Sequence, residues 1–229
     1  MRKLIIATVA LAFVSSTALA QSTDKGAAPA AGDTMSKGAM SKDTTARPIN
    51  MVRRRDEMET STGTMAADLA SRAQDIHWAA GFEPEHADLF AHNETLINTS
   101  CETVWQHIVN VKAWPQWYPN ARDVSLIGGA DTPMPNVRWR WTTFGLEIES
   151  RVHEFEPGRR LAWFGSAPRE KPTFYHSWLL SAEGNGCRVT MDEAGVGPGA
   201  AAFRQADEGR MHRGHEMWLA TLKWVSEGR

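Results

Sequence analysis

Six short runs between residues 121 and 194 are rich in strand-forming residues, and clusters of turn-forming residues separate them. In most of these runs apolar and polar side chains alternate. This is typical of half-buried strands, because successive side chains point to opposite faces of a sheet. The clearest turns are Gly128-Gly129, Glu156-Pro157-Gly158 and Glu183-Gly184-Asn185-Gly186. The pattern predicts strands near residues 121–127, 136–144, 146–155, 160–166, 173–182 and 186–194.

A further strand and several helices flank these runs. Residues 89–97 fit a first strand, and Thr99 and Glu102 have the spacing of a capping box, which predicts that a helix begins there. Two prolines limit the segment Trp114-Pro115-Gln116-Trp117-Tyr118-Pro119 to a short helix or turn. A long helix is predicted over residues 201–227, and its apolar side consists of Phe203, Met211, Trp218, Leu222 and Val225.

The first 20 residues predict a secretory signal peptide. Arg2 and Lys3 precede an apolar run over residues 4–14, and Ala18-Leu19-Ala20 fits the cleavage site of small residues. The apolar run is too short for a bilayer-spanning helix, which needs about 20 residues. We therefore expect cleavage after Ala20, no stable membrane insertion afterwards, and a periplasmic or secreted protein.

The segment over residues 21–64 contains no Leu, Phe, Trp or Tyr and is rich in Ala, Ser, Thr and Gly. Such a segment cannot bury enough apolar area to offset the entropy lost on ordering it. The composition therefore predicts a disordered, low-complexity linker.

A helical extension is predicted over residues 65–86, with the helix itself over residues 65–80 and outside the main domain. Its apolar positions have the spacing of one helix face, and they are Leu69, Ala73, Ile76 and Ala80. Residues 87–229 then form the main domain. All ten tryptophans lie after residue 77, so the two halves of the chain differ sharply in composition.

Composition excludes several functions. Lys and Arg number 25 against 27 Asp and Glu, a balance that argues against a nucleic-acid-binding protein. Two cysteines are too few for a disulfide-dense scaffold or for a four-cysteine zinc site. The sequence shows neither a phosphate-binding loop nor a Cys/His nucleophile pattern, and no cofactor is expected.

Several segments resemble the START-like superfamily, also called SRPBCC. Cys101-Glu102-Thr103-Val104-Trp105, together with the segment over residues 114–119, is similar to the opening of that fold. Residues 151–163 resemble its central hairpin, and residues 186–193 resemble its last strand. The ordered set covers about residues 88–228 and is most similar to the polyketide cyclase/dehydrase-like branch.

This resemblance implies an α+β helix-grip fold, in which a bent antiparallel sheet of seven strands surrounds a long C-terminal helix. It also implies a cavity between sheet and helix for an apolar or amphipathic small molecule that is lipid-like, quinone-like or polyketide-like. The superfamily has no universal catalytic residues to transfer. Its first and last strands are antiparallel neighbours, so Cys101 and Cys187 either form a disulfide or remain two buried thiols.

Strand parity then selects the side chains that face this cavity. The inward rows contain two polar residues, His176 and Glu193, which are weak candidates for acid–base catalysis if they line one pocket. The alternatives are a hydrogen-bonded core histidine and a glutamate at a solvent-exposed strand end. The tryptophans fit either a large core or an aromatic cavity wall. The predicted ligand-binding residues are Trp139, Trp141, Trp163, Phe174, His176, Trp178, Met191, His215 and Trp218.

The last helix contains a pair of histidines, His212 and His215, followed by Glu216. Residues three apart share a helix face, but two nitrogens without an evident third ligand are too few for a metal site, so no metal is predicted. Gly209 and Gly214 weaken this helix, and they allow either a close approach to the sheet or a bend that opens the cavity.

Three functions remain open from the sequence. The leading one is an exported small-molecule-binding protein with an aromatic-lined cavity. The second is a cyclase/dehydratase-like enzyme that uses His176 with Glu193 or His215 in the same cavity. The third is an envelope module in which residues 21–86 bind a protein partner. Deletion of residues 21–86 separates the first function from the third, because a carrier keeps its ligand without them.

Overall fold

The computed structural model describes residues 63–129, 131–171 and 173–229. The predicted signal peptide and nearly all of the predicted linker lie outside these described residues. Within them, no helix combines the length and the apolar character that crossing a membrane requires.

The described residues form one seven-stranded antiparallel sheet with the strand order β1-β7-β6-β5-β4-β3-β2. Each predicted strand is confirmed, with ends within two residues of the predicted positions. The α+β helix-grip fold is confirmed as well. The strands are β1 (Leu89–Ile97), β2 (Arg122–Ile127), β3 (Arg138–Thr143), β4 (Leu146–Glu156), β5 (Arg160–Ser166), β6 (Phe174–Glu183) and β7 (Gly186–Gly195).

The helices divide between the two faces of this sheet. We call the face that packs against α2 and α5 the inner face, and the opposite one the outer face. The helices are α1 (Met65–Ser71), α2 (Cys101–Val109), α3 (Trp114–Trp117), α4 (Pro198–Ala206) and α5 (Arg210–Ser226), with short 3-10 turns at Pro84–His86 and Val111–Ala113.

The inner core is dominated by tryptophan. Trp114 of α3 is fully buried, and its ring centroid lies 5.2 Å from that of Trp141, 5.9 Å from that of Trp163 and 5.0 Å from that of Trp218. Edge-to-face aromatic pairs gain about 0.5–1.5 kcal/mol each beyond the area that they bury. The large core and the aromatic cavity wall are therefore one layer of side chains.

A disulfide joins Cys101, at the start of α2, to Cys187 on β7. The alternative of two free thiols is wrong. β1 and β7 pair along their whole length, which brings the end of β1 next to the start of β7, with Ile97 opposite Cys187. The bond ties the first helix of the domain to the last strand.

The start of α2 differs by one residue from its prediction. Ser100 is the N-cap, and its Oγ accepts a hydrogen bond of 3.2 Å from the backbone N–H of Thr103. Thr99 instead belongs to the turn that follows β1, where its N–H bonds to the carbonyl of Ile97. The prediction of a capping box at Thr99 and Glu102 was therefore wrong, although a helix does begin here.

The predicted C-terminal helix is two helices, because residues 207–209 interrupt it. Asp207 and Gly209 are weak helix formers, and Asp207 holds the break by accepting a hydrogen bond of 2.5 Å from Arg213. Gly214 allows another part of the chain to approach α5 closely, which is one of the two roles predicted for it. A Cβ at that position would collide with the ring of Phe144, which packs on α5 there.

The predicted helix over residues 65–80 ends at Ser71. Residues 72–83 instead lie on the outer face, where Ile76, Ala79 and Phe82 are buried. Buried Arg160 of β5 donates a hydrogen bond of 2.6 Å to the carboxylate of Asp75. Contacts with the sheet therefore override the helical spacing of the sequence beyond Ser71.

Candidate functional site

The centre of the site is a hydrogen bond across two neighbouring strands. His176 of β6 and Glu193 of β7 are paired in the sheet register, so their side chains stand side by side on the inner face. Nδ1 of His176 lies 2.9 Å from Oε2 of Glu193. The two polar residues that strand parity placed on the inner face therefore do line one site.

A second histidine reaches the same carboxylate oxygen from the helix layer. Nε2 of His215, on α5, lies 2.9 Å from Oε2 of Glu193. The two imidazole rings stand edge to face, with centroids 5.3 Å apart. We call His176, Glu193 and His215 the histidine–glutamate cluster.

The electrostatics of the histidine–glutamate cluster follow from its burial. Burial alone raises the pKa of Glu193, but hydrogen bonds from His176 and His215 outweigh it and hold the pKa at about 2. Burial lowers the pKa of His176, so its neutral ring is the stable form near pH 7. An ionised carboxylate only accepts hydrogen bonds, so the ring nitrogens that contact Glu193 carry protons.

The opposite ring nitrogens complete the chemical description of the cluster. Nε2 of His176 and Nδ1 of His215 are buried and have no hydrogen-bond partner among the described residues. In the neutral His176 ring, the proton lies on Nδ1 and Nε2 is an acceptor. The site therefore offers at least one buried acceptor to a hydrogen-bond donor.

Aromatic rings fix the position of the two imidazoles. The ring of Trp163 stacks on that of His176, with a centroid distance of 4.3 Å and an interplanar angle of 14°. Trp218 of α5 lies 5.4 Å from the same imidazole, and Tyr118 in turn stacks on Trp218 at 4.3 Å. The cluster is therefore held by β6, β7 and α5 and by close packing around them.

The cluster lines a small cavity of about 40 Å³. At about 10–15 Å³ for each water, this is room for about three water molecules. The wall is otherwise mostly aromatic and aliphatic, and no arginine or lysine among the described residues belongs to it. The lining residues are Trp141, Thr143, Phe144, Leu146, Ile148, Trp163, Gly165, Phe174, His176, Glu193, Phe203, Met211, His215 and Trp218.

A surface groove of about 420 Å³ adjoins this cavity. Leu146, Ile148, Phe174 and Phe203 line both, so the groove and the cavity share an apolar wall. Pockets for small molecules typically have about 300–1,000 Å³ and combine apolar walls with a few polar groups. The groove has this size, and the cluster supplies the polar groups at its inner end.

The structure places six of the nine predicted ligand-binding residues in the cavity wall, namely Trp141, Trp163, Phe174, His176, His215 and Trp218. Trp139, Trp178 and Met191 do not line it, although all three are buried in the inner core. Trp139 packs instead against Trp114 and Trp163, with centroids 6.1 and 5.3 Å away. Parity distinguishes the two faces of a strand but not the distance from the cavity along it.

Seven wall residues were absent from the predicted set. Strand parity places Thr143, Leu146 and Ile148 on the inner face, and it places Gly165 there too, because Gly165 is two residues from Trp163 on β5. Helical spacing had placed Phe203 and Met211 on the apolar side of the last helix. Phe144 had no such signal. Phe144 adopts a positive φ of 52° in the turn between β3 and β4, and neither the strand period nor the helix period predicts where its side chain points.

His212 lies away from the cavity, although it is three residues from His215. Its Nδ1 lies 2.8 Å from Oδ1 of buried Asp68 on α1. Residues three apart on a helix point about 60° apart, and here one histidine faces the cavity while the other faces α1. The prediction that His212 and His215 share a face was wrong, whereas Glu216 lies on the side of His212, with its Oε1 3.5 Å from Nε2 of that histidine.

Comparisons with known proteins agree with this fold. The model of the family described as "Polyketide cyclase / dehydrase and lipid transport" matches residues 91–225, more than half of the chain. A search of curated proteins found no match.

Among solved structures, hypothetical protein jhp0584 from Helicobacter pylori is 27% identical, with a TM-score of 0.62 over 68% of this chain and 98% of that one. DynU16, from the dynemicin biosynthetic locus, is 17% identical, with a TM-score of 0.47 over 61% of this chain and 48% of that one. The Aha1 dimer from Colwellia psychrerythraea is 13% identical, with a TM-score of 0.45 over 61% of this chain and 95% of that one.

Proposed function

Because this chain belongs to the polyketide cyclase/dehydrase and lipid transport family, we propose that it binds an amphipathic small molecule on the inner face of its sheet. The observation that carries this proposal is the buried histidine–glutamate cluster at the inner end of an apolar groove. The ring or chain of the ligand occupies the groove along Phe174 and Phe203. Its polar end enters the small cavity and meets the cluster.

The hydrogen-bonding pattern selects the polar end. Glu193 already accepts the protons of both neighbouring ring nitrogens, so Nε2 of His176 is the acceptor that remains. A hydroxyl group donates to such a nitrogen, whereas a carboxylate has no proton to donate and is repelled by Glu193. The cavity admits a group of about the size of a hydroxyl, while a fused ring fits only the groove.

Two probes that differ by one methyl group test this proposal. Calorimetry on chelator-treated protein compares 2-naphthol with 2-methoxynaphthalene, which lacks the donor proton. We expect 2-naphthol to bind at least about fivefold more tightly, because a lost hydrogen bond that leaves a buried acceptor unpaired costs about 1–3 kcal/mol. Equal binding of the two probes, or no binding of either, contradicts the proposal.

A groove variant and a surface variant serve as a matched pair. Phe203→Ser removes an aromatic ring from the groove and is expected to weaken both probes by a similar factor. Met134→Ser makes the same kind of change at an exposed position far from the cavity wall and is expected to leave both affinities unchanged. Unchanged binding in Phe203→Ser contradicts the assignment of the groove.

Export of the protein is part of this proposal. The signal-peptide features of residues 1–20 support it, and so does the disulfide between Cys101 and Cys187, because structural disulfides persist in oxidising compartments. Mass spectrometry of the protein from its native cell envelope is expected to show a chain that begins at Gln21, with both cysteines oxidised. A full-length chain with reduced cysteines contradicts export.

The hydrogen bond between His176 and Glu193 also favours a second function, which is proton transfer on the bound molecule. A histidine oriented by a carboxylate is the usual arrangement of a general base. Incubation of the protein with a lipid extract of its host, followed by mass spectrometry, distinguishes the two functions. An enzyme changes the mass of a bound compound and loses that change in His176→Ala, whereas a carrier returns the compound unchanged.

Binding of a protein partner by residues 21–86 gains no support from the part that the structure describes. Ala79 and Phe82 are buried against the outer face, where they pack with Phe90 and Tyr175. These two side chains are therefore occupied within the chain itself.

A further inference from the structure

We propose that His176, Glu193 and His215 bind a divalent transition-metal ion, with Nδ1, Oε2 and Nε2 as the respective ligand atoms. These three atoms lie within 4.8 Å of one another. Among residues 63–129, 131–171 and 173–229, no other group of three or more histidine, cysteine or acidic side chains has such spacing. The proposal does not depend on the binding of an organic molecule.

The ligand set is one that metals use when they keep an open coordination position. Two histidines and one carboxylate bind catalytic zinc, and the same combination forms the facial triad of non-haem iron. Bonds of about 2.1 Å around a tetrahedral ion place neighbouring ligand atoms about 3.4 Å apart. The two observed N···O distances are 2.9 Å, so each must open by about 0.5 Å to admit the ion.

The surroundings hold the ligands in place before any ion enters. The three side chains come from β6, β7 and α5, which are regular elements rather than mobile loops. Stacking on Trp163 fixes the ring of His176, and the edge-to-face contact between the imidazoles fixes their relative orientation. Ligands on packed elements lose little freedom on binding, which strengthens a metal site.

Charge also favours a cation at this place. Glu193 carries its carboxylate into a wall that contains no arginine or lysine among the described residues that line it. A buried anion without a cationic partner is costly, and a divalent ion supplies that partner. When the ion takes the place of the proton on a ligating ring nitrogen, that proton moves to the opposite nitrogen of the same imidazole, so neither ring has to become an anion.

All three proposed ligands line the cavity of about 40 Å³, so an ion bound to them would have room beside it for a further ligand. A water molecule or the oxygen atom of an incoming ligand fits there. A divalent ion in this position polarises such an oxygen and lowers the pKa of a bound water. The metal would thus give the cavity a Lewis acid that the side chains alone do not provide.

Metal binding is tested on the untagged protein, because a polyhistidine tag would bind metal itself. After chelator treatment, calorimetry with Zn²⁺ is expected to show one equivalent bound, and Co²⁺ is expected to give the visible absorption of a low-coordinate nitrogen and oxygen site. The variants His215→Ala and Glu193→Gln are expected to weaken binding by about a hundredfold or more. The matched surface variants His86→Ala and Glu102→Gln are expected to bind like the unmodified chain, because both side chains are exposed and outside the cavity and the groove.

A second measurement needs no substitution and so cannot fail through misfolding. Crystals soaked in Zn²⁺ are examined by anomalous scattering at the zinc absorption edge. The expected result is a peak about 2.1 Å from Nδ1 of His176, Oε2 of Glu193 and Nε2 of His215. A folded protein that binds no metal, or a peak only at other residues, overturns the proposal. Neither result bears on whether 2-naphthol binds to metal-free protein, so the two proposals fail separately.

Discussion

Two adjacent residues of β7 carry buried carboxylates on opposite faces of the same sheet, and they behave differently. Glu193 faces inward and accepts hydrogen bonds from His176 and His215. Asp192 faces outward, where Nδ1 of His92 lies 2.6 Å from its Oδ1. The pKa of Glu193 is held at about 2, whereas burial raises the pKa of Asp192 despite its histidine.

The difference shows that a histidine–carboxylate pair is not by itself evidence of a functional site. The inner pair lines a cavity that adjoins an apolar groove, and Nε2 of His176 is an acceptor without a partner among the described residues. Residues 63–83 contact the outer side of the sheet, and a second pair, Asp68 with His212, joins α1 to α5.

We call His92 with Asp192 and His212 with Asp68 the outer pairs, because neither lines the cavity of the inner cluster. His92 and His212 line a different cavity of about 500 Å³, whose lining residues are mostly polar and include Glu94 and Lys223. We interpret the inner cluster as a site for a ligand, and the outer pairs as structural links, one between β1 and β7 and the other between α1 and α5.

The largest expected effect concerns the covalent link within the inner layer. The double variant Cys101→Ala and Cys187→Ala is expected to lower the free energy of unfolding by about 4 kcal/mol, because the disulfide closes a long loop. The two cysteines are 86 residues apart in sequence. Urea unfolding with and without reductant measures the loss. Reductant should weaken the natural chain and leave the variant unchanged, and a loss below about 1 kcal/mol would count against this account.

The next prediction compares the two carboxylates directly. Glu193→Ala is expected to cost about 3 kcal/mol of unfolding free energy, because it leaves two buried imidazole donors without an acceptor. Asp192→Ala is expected to cost about 2 kcal/mol, because it strands the one ring of His92. Chemical unfolding of both variants gives the ranking, and a larger loss for Asp192→Ala contradicts the comparison.

A smaller and local effect is expected from the attachment of the outer segment. Asp75→Ala removes the partner of buried Arg160 and should cost about 1–2 kcal/mol. The loss stays moderate because the guanidinium keeps the carboxylate of Glu156, 3.4 Å from its Nε, and the backbone carbonyl of residue 75. Hydrogen exchange is expected to speed up over residues 72–82 and to stay unchanged in β6 and β7. Equal acceleration in both regions would show that the segment is not a separate unit.

The smallest effect is a pH dependence. The hydrogen bond from His212 to Asp68 raises the pKa of His212. Its contribution to stability is therefore complete below the unfolded pKa of about 6.5 and is lost as pH rises through the higher folded pKa. The melting temperature of the natural chain should exceed that of Asp68→Asn most at about pH 6 and less at about pH 8. A difference that grows with pH contradicts the sign of this linkage.

The sequence predicts the strands and the inner face well because both follow from a local period. Strand parity placed His176 and Glu193 on one face, and the register of β6 and β7 then makes them neighbours. Residues 72–83 were predicted poorly because their conformation depends on distant partners such as Arg160. The position of Phe144 depends on its positive φ and on its contact with Gly214 of α5. Phe144 and Gly214 are 70 residues apart in sequence.

Which residues meet in the site could be found only from the fold. Sequence reasoning compared His215 with His212, because these two residues share a helix, and found too few ligands for a metal. Glu193, which both His215 and His176 contact, lies on a strand that α5 approaches only in the folded protein. Local patterns name the candidate residues, and only the packing of α5 against the sheet shows which of them meet.

The central claim is that the inner cluster contacts ligand and the outer pairs do not. Nitrogen-15 NMR of the histidine side chains tests it directly, during titration of chelator-treated protein with 2-naphthol. The account predicts that the ring signals of His176 and His215 shift with the added probe while those of His92 and His212 stay in place. Shifts confined to His92 and His212, or no shift of any ring at saturating probe, would contradict it.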